Sequence, residues 1–126
     1  MKFKFNNQLD IIEVNLTLVS FKEVNAKAIL DTGSNNLVII PRLAEELQLE
    51  VSTKKSHILT VDQHHIVPLV IVPKLLCLGY EARNVNASVF GLPEKTGVEI
   101  IIGLKFLKQF SDMHISFKKG YIELTR

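Results

Sequence analysis

Apolar residues recur at every second position through two successive stretches, and the second of them runs straight into Asp31-Thr32-Gly33-Ser34. In Ile11 to Val19, Val14, Leu16 and Leu18 share one parity while Glu13, Asn15 and Thr17 hold the other. Val24, Ala26, Ala28 and Leu30 repeat the pattern. Side chains of a strand alternate between its faces, so each stretch reads as a half-buried strand, and the short link through Phe21-Lys22-Glu23 pairs them as an antiparallel hairpin. The second strand therefore carries a carboxylate, a hydroxyl and a glycine out of an apolar core. Gly33 permits a backbone conformation or a close chain approach that a side chain would block.

The rest of the chain continues mainly as strands. Leu37 to Ile40 is short and apolar, and Pro41 opens a helix expected over Pro41 to Leu49, with Leu43, Ala44 and Leu47 on its packed face. Ser56 to Val72 reads as a hairpin turning near Asp62 to His65. Leu75 to Leu78 and Asn84 to Phe90 read as short strands around Gly79-Tyr80, followed by a loop from Gly91 to Gly97. Val98 to Ile102 is a buried strand stopping at Gly103, Leu104 to Phe110 suits a helix, and His114 to Phe117 with Tyr121 to Leu124 forms a last hairpin across Lys118-Lys119-Gly120. A length of 126 residues supports one core and not two. The expectation is a single, mainly β domain over residues 1–126 with one or two short helices.

Charge and apolar runs remove several function classes. Fifteen Lys plus Arg face thirteen Asp plus Glu, and the only basic doublets are Lys54-Lys55 and Lys118-Lys119, so no nucleic-acid face is expected. The longest apolar run, Ile66 to Leu78, is interrupted by Pro68, Pro73 and Lys74, which argues against a membrane span. Met1 to Asn7 alternates Lys with Phe and lacks the apolar centre of a signal peptide, so a cytoplasmic location is expected. Cys77 stands alone in an apolar run and reads as a small buried hydrophobe. His57, His64, His65 and His114 follow no standard ligand spacing, and neither a metal nor another cofactor is expected. Ser34, Ser56 and Cys77 have no His-plus-acid arrangement that would make a nucleophile.

Four stretches, in order, carry a family likeness: Ala28 to Ser34 (AILDTGS), Val38 to Leu49 (VIIPRLAEELQL), Glu99 to Phe110 (EIIIGLKFLKQF) and His114 to Leu124 (HISFKKGYIEL). Together they resemble the retropepsin-like aspartic proteases. The resemblance implies a closed, barrel-like β fold, a catalytic Asp31 in the loop Asp31-Thr32-Gly33-Ser34, and a supporting loop at Ile101-Ile102-Gly103. It also implies that Thr32 grips its counterpart across a dimer. Hydrolysis by a water held between two carboxyls needs one as base and one as acid, and carboxyls about 3 Å apart share a proton. Asp10, Asp62 and Asp112 lack the glycine turn, so a second copy must bring the partner of Asp31, and a homodimer is expected.

The family covers its cleft with a glycine-containing flap, whereas this chain has no glycine between Gly33 and Gly79. The candidate flap, Val61, Asp62, Gln63 and His64, is accordingly expected to be stiffer or differently shaped. Ile39, Leu59, Val61 and Phe90 are the expected apolar lining for an extended peptide or protein substrate. The leading expectation is an aspartic endopeptidase. The alternative is a catalytically silent domain of the same fold that binds peptides or assembles proteins.

Overall fold

A computed structural model describes residues 1–126. The first hairpin is β2 (Glu13–Val19) against β3 (Glu23–Leu30), with Leu16 opposite Ala26 and Val14 opposite Ala28. All six apolar residues of that shared parity other than the half-buried Val24 are buried, namely Val14, Leu16, Leu18, Ala26, Ala28 and Leu30. β8 (Ile100–Ile102) lies parallel to β3, placing Ile102 beside Leu30, and β4 (Leu37–Ile39) runs antiparallel to β8. β7 (Tyr80–Val89) is parallel to β4, and β6 (His64–Cys77) is antiparallel to β7. The last residues of β6 then return to β2, Cys77 opposite Leu16. The order β2-β3-β8-β4-β7-β6 thus closes into a six-stranded barrel, which removes free edges from the ring. Its interior includes Leu18, Ile39, Leu43, Leu75 and Ile100, all essentially inaccessible; burying each such side chain contributes roughly 1.5–3 kcal/mol.

β6 is one strand of 14 residues where the alternation suggested separate short ones. Its two prolines sit where a missing N–H is tolerated. Pro68 lies opposite Lys55, where the pairing with β5 (Glu50–Leu59) shifts register. Pro73 falls between Ile71, still paired with β5, and Lys74, already paired with β2. β5 itself starts earlier than the sequence suggested and has one edge unpaired.

The helices are shorter than expected. α1 spans Pro41–Glu46 and is ended by Gln48, whose φ of 50° is left-handed; Leu43, Ala44 and Leu47 are buried. α2 is a single turn, Leu104–Leu107, and packs through Phe106 and Leu107, with Phe110 buried just beyond it. A second sheet has the order β1-β10-β9, formed by Lys2–Lys4, Tyr121–Thr125 and Asp112–Ser116. The final hairpin was expected; β1 was not, because three residues are too few to show a period. No helix is long and apolar enough to cross a membrane.

Candidate active site

β3 ends at Leu30, and the next backbone group keeps the chain on the sheet: Asp31 N–H donates to the Ile102 carbonyl at 2.9 Å. The loop then closes on itself. Gly33 N–H donates to Asp31 Oδ1 at 2.9 Å, and Ser34 N–H donates to the Asp31 carbonyl at 3.2 Å. Asp31, Thr32 and Gly33 are exposed, directly above the buried Leu30 and Ile102.

The loop at Ile101-Ile102-Gly103 braces this turn from the far end of the sequence. Leu104 and Lys105, whose N–H groups have no partner inside the short helix, donate to the carbonyls of Ser34 and Asn35 at 2.7 and 3.0 Å. Gly103 makes the approach possible: a Cβ there would lie 2.5 Å from the Ser34 carbonyl oxygen, 2.8 Å from that of Asn35 and 2.9 Å from that of Asn36. Its φ of −107° is ordinary, so the requirement is space and not conformation.

Asp31 opens into a cleft of about 420 Å³. The loop contributes Asp31, Gly33, Ser34, Asn35 and Asn36, the sheet adds Val38 and Ile101, and the strand β5 contributes His57 to Leu59, with Thr60 just beyond its end. Phe90 and Leu92 complete it from the segment after β7. Asp31 is the only carboxylate among these residues.

The residues expected as a flap lie at and beyond the end of β5. Leu59 pairs with His64, leaving Thr60 to Gln63 as the hairpin turn. Thr60 N–H donates to the Gln63 carbonyl at 2.8 Å, and its hydroxyl lies 3.2 Å from both Asp62 Oδ1 and that carbonyl. None of the four turn residues has a positive φ, so this turn closes without glycine. Val61, Asp62, Gln63 and His64 do not line the cleft; Val61 is fully exposed, while Thr60 and Leu59 do line it. Ile39, also expected there, is instead fully buried in the barrel core.

The histidines separate by strand parity. His64 Nε2 lies 2.8 Å from His57 Nδ1, whereas His65 turns to the other face, edge-on to Phe90 with ring centroids 5.0 Å apart. Ser34 Oγ donates locally to the Asn36 carbonyl at 3.2 Å. Cys77 is buried, and loss of solvation pushes its thiol up to about 12. Sequence reasoning missed His57, Ile58 and Thr60 because the polar and apolar residues of β5 do not alternate cleanly. It missed Asn35 and Asn36 although they directly follow the Asp31 motif.

Residues 17–109 match the family described as "gag-polyprotein putative aspartyl protease". Among solved structures, a retropepsin-like aspartic protease from Rickettsia conorii superposes with a TM-score of 0.70 at 18% identity, over 98% of this chain and 88% of the other. The retroviral protease-like domain of Ddi1 from Leishmania major gives a TM-score of 0.53 at 18% identity, over 94% and 96%. These two likenesses show the fold. No curated protein sequence is significantly similar to the chain. With the family match covering most of the chain and the barrel shared with retropepsin-like structures, the chain belongs to the gag-polyprotein aspartyl protease family.

Proposed function

We propose that the chain is an aspartic endopeptidase acting as a homodimer, in which Asp31 of each copy holds a shared water. The observation that carries this reading is the lone carboxylate of the cleft, set at a strand end in a loop braced by a second loop from a distant part of the sequence. One carboxylate takes a proton from the water as its oxygen attacks the peptide carbonyl. The other, protonated, donates to the carbonyl oxygen; collapse of the tetrahedral species with proton transfer to the nitrogen then breaks the C–N bond. Thr32, exposed beside Asp31, is proposed to meet its counterpart across the two-fold axis.

The unpaired edge of β5 supports an extended substrate. His57 to Leu59 lie on that strand and line the cleft, so a peptide can add there as a further strand. Leu59, Phe90 and Leu92 favour apolar side chains. The hairpin tip, Val61 to His64, is proposed to move over the bound peptide and exclude water. The glycine-free tip, tied by Thr60, favours the second reading, peptide binding without cleavage.

The test is a diverse peptide library incubated with wild type and Asp31→Asn from pH 3 to 8 and read by mass spectrometry. The proposal predicts cleavage by wild type alone, with a bell-shaped pH profile because the pair works while sharing one proton. Cleavage that persists in pure Asp31→Asn contradicts it, and binding by both proteins with no product supports the second reading.

A further inference from the structure

Ser56 and Ser88 are the only buried polar side chains of the molecule, at 6% and 0% exposure. Their hydroxyl oxygens are 2.5 Å apart. Asn36 Nδ2 adds a longer bond to Ser56 Oγ at 3.4 Å, connecting the pair to the loop that follows Asp31.

The topology makes this contact informative. Ser56 lies on β5 opposite Val67, and Ser88 lies on β7 opposite Leu69, so β6 runs between the two serines. Strands flanking a third are about 10 Å apart in a flat sheet, twice the ordinary spacing. The hydroxyls meet because the β5–β6 hairpin curls back over the sheet. A register shift between Val51 and Lys55, with Pro68 opposite Lys55, supplies the bend. Ser88 does not face the barrel interior. Its neighbour Ala87 belongs to the main core, whereas Ser88, Val38 and Val67 are buried outside it, in the seam between the sheet and the curled hairpin. Val38 also lines the cleft, so this seam adjoins the site.

Stability alone does not call for serines here, since exchanging both partners of a buried hydrogen bond for apolar groups is nearly neutral. Hydrogen bonds do what apolar contact does not: they fix one distance and one orientation. We propose that Asn36, Ser56 and Ser88 form a latch that holds the hairpin at a set height above Asp31 and so sets the opening of the cleft. They are positioning residues, and their effect on turnover rests on the peptidase reading.

The latch is tested in the full chain with Ser88→Ala, Ser56→Ala and the double variant, by hydrogen exchange, urea unfolding and peptide kinetics. Amides of residues 57–66 are expected to exchange roughly tenfold faster in every variant while those of β2 and β3 keep their protection. The double variant, with no hydroxyl left unpaired, should regain stability lost by the single ones yet keep the loose hairpin and a KM raised more than kcat is lowered. Wild-type exchange at 57–66 in the double variant, or equal acceleration throughout the barrel, overturns the latch. Should wild type cleave nothing, the peptidase reading falls and the exchange data still decide the latch.

Discussion

At the scale of single residues, two positions are governed by what surrounds them. Gly103 has three carbonyl oxygens where a Cβ would go, all of them backbone atoms that cannot swing aside. Gly103→Ala should cost about 2–4 kcal/mol, measured as a lowered urea midpoint, by forcing the Asp31 loop and the Ile101 loop apart. Cys77 is the converse case, a reactive group silenced by burial. Its thiol has an ordinary value of 9.0 and is held up to about 12, so alkylation at pH 8 should be slow in the folded chain and fast once urea unfolds it. Because the folded value is the higher one, this group leaves stability intact below pH 9 and removes it progressively as pH rises toward 12. Both roles were readable only in part. The sequence suggests that Gly103 ends a strand and that Cys77 is buried, but it does not reveal which carbonyls crowd Gly103, since Ser34 to Asn36 lie about 70 positions away.

At the scale of elements, the period-two pattern of β2 and β3 was legible because one face of each meets the barrel core and the other does not. β6 was legible only in pieces. Pro73 and Lys74 separated the pieces, and what keeps the strand whole there is the change of neighbour from β5 to β2, a tertiary event with no local signal. The hairpin turn was placed near its true position, yet its chemistry was hidden in Thr60, whose hydroxyl and N–H do the closing. Thr60→Val should loosen the tip, seen as faster amide exchange at residues 60–64, while changing global stability by only about 1 kcal/mol, because the turn is exposed and the barrel does not depend on it. Preserved slow exchange at the tip would assign its rigidity to the strand pairing below.

At the scale of the whole molecule, a closed barrel presents one carboxylate in one cleft, and the chemistry proposed for it needs two. The resemblance in the sequence anticipated this arithmetic through its single Asp-Thr-Gly. The pocket walls were less legible, because they join residues from the Asp31 loop, β5 and the end of β7 that only the closed sheet brings together. Activity tied to a shared site should depend on assembly, with specific activity rising as protein concentration drives association. The most direct measurement mixes wild type with an equal amount of Asp31→Asn, at a concentration where sedimentation shows dimers and after the subunits have exchanged. A shared site predicts that activity falls to about half, since half of the wild-type chains then sit opposite a partner without the carboxylate. Activity that stays proportional to the wild-type chain present, however much Asp31→Asn is added to the dimers, would contradict it.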